Sequence, residues 1–335
     1  MYACILNFRI FLVLLFVTVS GYAYGDFGEL SSIAADLGLK QADEKRLLAG
    51  EIITADLPET TDKMLAQSLA IYAPMYAYKI ADLVLSARVF EGDTNVIASG
   101  RIDPLNIEAS LSKAKFTSAD AGELKQLNKF NGGEAFNLSS KEIAKLRKSI
   151  TSGQTSAKEL SKVYRNILVG RMKAYLESGI AGVAPYDRGK GNQTSVASDL
   201  KAMTKAAKPL AKGAPGLYRT FLDYPNNQSL HIEHGFFWVK RKIDKRPAFV
   251  LEHRILERGP VSLNILRREF FVGQSYNAAQ AISGAFTLSK KGTLIFSTIR
   301  RSSDQAGGTQ HAAARKKMRD EMITRFKSLR KRFAK

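Results

Sequence analysis

From Ile232 to Arg301 apolar residues recur at every second position, and no other stretch of the chain constrains the fold so strongly. Ile232, His234, Phe236 and Trp238 share one face of an extended segment, and Phe249, Leu251, His253 and Ile255 share one face of the next. Side chains of a strand alternate between its two faces, so this pattern predicts strands with a buried side. Leu263 to Gly273, Gln280 to Leu288 and Thr293 to Arg301 read as further strands, with turn signals such as Lys290-Lys291-Gly292 between them. A long helix is predicted from about Gln310. Met318, Met322, Phe326, Leu329 and Phe333 fall on one side of it.

Upstream the pattern is mixed. Asp26 to Ala49 reads as short helices, Glu51 to Ala55 and Met64 to Ala73 as strands, and Thr94 to Ile102 as a third. Pro74 stands where a helix opens, a position at which its missing N–H costs nothing, and Ile80, Leu83 and Val84 follow at helical spacing. From Thr117 to about Leu222 the chain reads as helical. Ser139 with Glu142, and Ser156 with Glu159, have capping-box spacing. Leu160, Val163, Ile167, Met172, Tyr175 and Leu176 form an apolar stripe on a helix to about Ser178. Gly179 to Thr194 holds too many Gly and Pro for regular structure and is expected to be a loop.

The segment Ala70-Ile71-Tyr72-Ala73-Pro74-Met75-Tyr76-Ala77-Tyr78-Lys79-Ile80-Ala81-Asp82-Leu83 resembles the opening of START-like proteins, in which a strand ends in an Ala-Pro step before a helix. Ile80 takes a place often held there by an aromatic. The resemblance covers roughly 51–102 and 231–335. It implies an α+β helix-grip fold, a curved antiparallel sheet packed on the long C-terminal helix around a cavity for a lipid or other apolar ligand. The organisation expected is a signal peptide at 1–25, an N-terminal helical segment at 26–50, the sheet domain at 51–116 and 226–335, and a helical insertion at 117–225. The chain also resembles a group of exported bacterial proteins, which implies nothing about activity.

Export is expected from the N-terminus. Arg9 precedes the apolar run Ile10 to Val19, and Ala23-Tyr24-Gly25 supplies small residues where a signal peptidase cuts. Cys4, the single cysteine, lies within this segment, so the exported chain must hold together by its core. The expected location is periplasmic or secreted. Charge is divided unevenly along the 335 residues: 26–150 has a net charge of −3 and 151–335 a net charge of +22. A half that basic suits phosphates, and for an exported chain an anionic membrane surface is a better partner than nucleic acid. His311 to Lys335 alone carries ten Lys+Arg against two acids. Its basic, amphipathic character fits either a membrane interface or packing on the sheet.

Sites for chemistry are sparse. His231 and His234 point to opposite faces of a strand and cannot share an ion, whereas His234 and His253 are expected on one face of adjacent strands without a visible third ligand. Six residues rather than four separate Gly182 from Gly189-Lys190, which excludes a P-loop. Gly273-Gln274-Ser275-Tyr276-Asn277 lacks one glycine of a nucleophile elbow, and a triad of Ser275, His253 and Asp304 is the one such arrangement conceivable. No catalytic residue, metal or cofactor is therefore assigned. Arg267, Glu269, Arg300 and Asp304 place charge within or just beyond apolar strands. They should pair with one another, unless one arginine remains free to bind a carboxylate or phosphate.

The expected ligand is a hydrophobic or amphipathic small molecule. Its candidate contacts are Tyr186, Asp187 and Arg188 on a loop over the entrance, and His234, Trp238, His253, Arg267, Tyr276 and Arg300 on the sheet. Phe236, Phe249, Leu251, Phe271 and Phe296 are expected as additional lining or as plain core. A cyclase- or hydrolase-type enzyme, or an envelope interaction protein without a small-molecule site, are the other classes open to such a chain.

Overall fold

A computed structural model describes residues 38–40, 42–73, 77–86, 90–91, 93–226, 231–259, 262–289 and 292–333. The signal-like segment, Asp26 to Leu37 and Pro74 lie outside the described residues. The chain is α+β, built on one curved antiparallel sheet of eight strands. In chain order the elements begin with α1 (Asp43–Leu48), β1 (Ile53–Asp56), β2 (Met64–Ala73), α2 (Ala77–Val84) and β3 (Val96–Ile102). The helical block follows with α3 (Ile107–Ser110), α4 (Ala121–Lys129), α5 (Ser140–Thr151) and α6 (Ala157–Ser178). A hairpin of β4 (Tyr186–Gly189) and β5 (Asn192–Thr194) leads to α7 (Val196–Lys205), α8 (Lys208–Gly213) and α9 (Pro215–Asp223). The remaining strands are β6 (Ile232–Ile243), β7 (Arg246–Arg258), β8 (Ser262–Val272), β9 (Ala278–Ser289) and β10 (Gly292–Ser302), and α10 (His311–Phe333) follows them.

Strand order in the sheet is β1-β2-β10-β9-β8-β7-β6-β3, so β10 closes back on β2 and β3 caps the other edge. Short turns set the register. Between β6 and β7 only Asp244 and Lys245 intervene, at φ 52° and 65°, the left-handed pair that a two-residue hairpin with the natural strand twist requires. Both serine caps form. Ser139 Oγ accepts from Glu142 N while Ser139 N donates to the Glu142 carboxylate at 2.7 Å, and Ser156 and Glu159 repeat the exchange.

Both faces of the sheet are covered. On one face, α2 and α10 pack over Leu65, Leu69, Ile71, Ile295 and Ile299, with Met318 and Met322 buried beneath α10. Met318, Met322 and Phe326 of α10 are thus spent on the sheet, and two of its cations face nearby acids: Arg315 reaches Glu59 at 2.6 Å and Arg319 reaches Asp56 at 2.6 Å. On the other face the helical block shares a single core with Ile102, Phe236, Trp238, Phe249, Leu251 and Phe271. The Trp238 ring lies over Gly100, where a Cβ would stand 2.5 Å from its Nε1, and that N–H donates to Ser110 O at 3.0 Å. Among the described residues no helix is long and apolar enough to cross a membrane.

The expectation of a loop from Gly179 to Thr194 is corrected. Gly179–Gly182 is a turn of 3-10 helix, and Tyr186 to Thr194 is the β4–β5 hairpin. The glycines that suggested a loop are what the turn needs: Gly189 and Gly191 take φ of 79° and 80°, beside Lys190 at 53°.

Candidate ligand cavity

Register fixes which side chains meet on the face beneath the helical block. One row runs across the strands through Arg300, Gln280, Arg268, His253 and Phe236. At the His253 end the row is filled. His253 Nε2 lies 3.0 Å from His234 Nδ1, its Nδ1 lies 2.9 Å from Tyr175 Oη, and Arg268 donates to the same hydroxyl at 3.0 Å. Arg268 also donates to Phe221 O at 2.5 Å and stacks on the Phe221 ring, while Gln280 bonds Leu200 O and Thr204. Burial, then the neighbouring His234 and Arg268, hold the His253 pKa well below its ordinary value, and burial lowers that of His234.

At the Arg300 end the helices part from the sheet. There β8, β9 and β10, helices α7 and α8, and the connection Leu57 to Thr60 bound a cavity of about 760 Å³. This size is within the range of small-molecule sites. Phe286, Phe296, Ile282, Leu57 and Leu210 make its walls apolar, and the exposed Lys205 and Lys208 stand at its rim. Arg300 is 7% exposed, and among the described residues it has no hydrogen bond or ion pair; its Nε is buried without a partner. Burial pulls its pKa below the ordinary value, and no carboxylate offsets the effect. Arg171, Arg188 and Arg268, on this side of the sheet, are engaged. Arg171 meets Glu142 at 2.6 Å, and Arg188 meets Asp304 at 2.9 Å.

The remaining candidates from the sequence lie elsewhere. Tyr186 is fully buried, donating to Asn277 O and accepting from Val272 N. Arg188 binds Asn137, Asn277, Thr194 and Asp304, and Asp187 accepts from Ser140 and from Gly189 N. Tyr186 and Arg188 tie the hairpin to the end of the sheet, Asp187 ties it to α5, and none of the three lines the cavity. Trp238, His234 and His253 belong to the packed core.

Arg267 and Tyr276 are on the opposite face with Glu269, whose carboxyl accepts from Tyr276 Oη at 2.5 Å. Burial alone would raise the Glu269 pKa, but Arg267 and Arg241 overcome it and hold it at about 2. Of the four charges expected to pair among themselves, Arg267 lies 3.8 Å from Glu269, whereas Asp304 pairs with Arg188 and leaves Arg300 alone. Of the nine named contacts, Arg300 is the one that reaches the cavity. This cavity is on the face away from α10 rather than between the sheet and the terminal helix.

No triad assembles. Both ring nitrogens of His253 are engaged with His234 and Tyr175, Ser275 Oγ donates to Gln274, and Asp304 accepts from Arg188, Thr194 and Lys63. Among the described residues no group of three or more His, Cys, Asp or Glu side chains could hold a metal ion.

Sequence reasoning passed over Ile282, Phe286, Leu57, Leu210 and the two rim lysines. Alternation alone puts Ile282, Gly284 and Phe286 on the face shared with Phe296 and Arg300, and a glycine inside that strand was the available signal. Comparison of the chain with models of protein families, with curated proteins and with solved structures finds no match.

Proposed function

We propose that the protein binds an amphipathic small molecule whose single anionic head is held by Arg300. The apolar part lies against Ile282, Phe286 and Phe296 beneath α7 and α8. One observation carries this reading: a buried guanidinium without an acid partner on the wall of an apolar cavity of about 760 Å³. A buried charge is costly unless paired, and guanidinium matches carboxylate and phosphate with two parallel bonds. Lys205 and Lys208 at the rim raise the local concentration of anions.

Export and uptake of the ligand at an anionic envelope membrane belong to the same proposal, supported by the signal-like first 25 residues and the net +22 of 151–335. Kinship to START-like proteins is proposed on the Ala73-Pro74 step and on a large sheet with a C-terminal helix, an arrangement compatible with a helix grip.

Displacement of a fluorescent fatty acid by a long-chain carboxylate tests the reading. Arg300→Gln should weaken binding tenfold to a hundredfold, the worth of a charge-assisted hydrogen bond. Arg300→Lys should recover part of the loss, and a long-chain alcohol should bind wild type and variants alike. Equal affinity of wild type and Arg300→Gln for the carboxylate would sink the reading.

A further inference from the structure

We infer that Gly284 and Phe296 set how long an apolar tail the cavity accepts, an inference that rests on the binding function proposed above. Gly284 sits inside β9, directly opposite Phe296 of β10. Glycine weakens a strand interior and marks a place where something must come close. Here that something is the Phe296 ring. A Cβ on Gly284 would stand 2.2 Å from Phe296 Cζ and 2.4 Å from Cε1, distances no real side chain tolerates. The ring therefore lies across the glycine and stacks on Phe286, with centroids 5.7 Å apart and planes 14° from parallel.

Both rings line the cavity, and they lie at the end away from Arg300. Phe296 precedes Arg300 by four residues on the same strand and the same face, about 13 Å at the rise of a β-strand. A head group on Arg300 thus sends its tail along β10 toward the two rings. Behind them Leu39, Leu47, Ile53 and Leu294 close that end as a packed cluster. The position of the Phe296 ring is then the stop against which a tail is measured. A methyl group at 284 cannot coexist with the ring where it lies, so Gly284→Ala must lift it into the cavity. Phe296→Leu removes part of the stop instead.

Saturated fatty acids of increasing length, offered in competition with a fluorescent fatty acid, read this directly on the full chain. The expected result is opposite movement of the two variants. In Gly284→Ala the best-bound length shortens, with at least a fivefold loss for the longest acid that wild type holds. In Phe296→Leu the best-bound length increases. Affinity for the shortest acids, which do not reach the rings, changes less in both than affinity for the longest. If both variants bind with the wild-type length profile, the inference is overturned while the binding function stands. If wild type binds no acid of any length, both are overturned together. Should Gly284→Ala fail to fold, the direction of the shift in Phe296→Leu decides.

Discussion

Arg300 costs the folded chain stability, because its guanidinium leaves water without gaining an acid. Replacement by an apolar side chain of similar length should therefore stabilise the protein while removing the proposed head-group contact. For Arg300→Met we expect a gain of about 1–3 kcal/mol in denaturant unfolding, the cost of a buried unsatisfied polar group. A loss of stability would mean that Arg300 has a structural partner. Its role was half legible in the sequence: a charge inside an apolar strand announces a partner or a ligand. The choice between them depended on where Asp304 points, and alternation along one strand cannot say that.

His253 gives a second test at this scale, with a definite sign. An unfolded histidine titrates near 6.5, while folded His253 and His234 have lowered values. Below about pH 6.5 the unfolded chain takes up protons that the folded chain refuses, so stability falls as pH drops through that value. His311 has the reverse sign. Its pKa is raised chiefly by the hydrogen bond to Glu59, so its contribution is present below 6.5 and lost as pH rises through the folded value. Unfolding midpoints at pH 7.5 and 5.0 should separate the two. The acid loss should shrink in His234→Gln/His253→Gln, and an equal loss in variant and wild type would refute the assignment.

Among the elements, the strands were legible because alternation and turn residues act locally; Met64 to Ala73 was read to the residue. The β4–β5 hairpin was not. Its four-residue strand carries no alternation long enough to register, and what orders it is tertiary. Arg188 reaches Asn137, Asn277, Thr194 and Asp304, residues from 6 to 116 positions away in sequence. Removing that hub as Arg188→Ala leaves Asp304 half-paired with Lys63 alone among cations, and the hairpin held by Tyr186 and Asp187. The pair is partly exposed, so its loss should cost less than the about 3–5 kcal/mol of a fully buried pair broken from one side. Amide exchange should accelerate selectively across 186–194. Uniform protection equal to wild type would show that the clamp is dispensable. The same variant should leave carboxylate binding in place, since the hairpin does not line the cavity.

For the whole molecule, the sheet with its terminal helix followed from pattern, but the side of the sheet that opens did not. The stripe of α10 and the two-faced apolar character of β2 are satisfied by packing α10 on one face, which leaves the other to the helical block. Space remains where α7 and α8 bridge the last strands, an outcome of how long connections drape that periodicity cannot foresee.

The proposed membrane contact is best sought beside the cavity mouth. On α10, Arg315 and Arg319 are paired with Glu59 and Asp56, while Lys201, Lys205 and Lys208 are exposed on α7 and α8, two of them at the cavity rim. At about 1 kcal/mol for each lysine near an anionic surface, reversing all three charges should weaken binding to anionic vesicles roughly a hundredfold or more. Undiminished vesicle binding by Lys201→Glu/Lys205→Glu/Lys208→Glu would place the contact elsewhere.

Whether Arg300 anchors a ligand in this cavity is read by native mass spectrometry. The full chain and its Arg300→Met variant would be compared after incubation with envelope lipid extract and again after organic extraction. Wild type should carry one adduct of reproducible mass, released by the solvent, with a single anionic group and absent from a variant that is equally well folded. A bare mass for wild type at every lipid concentration, or the same adduct on Arg300→Met, would contradict an anchoring role for Arg300.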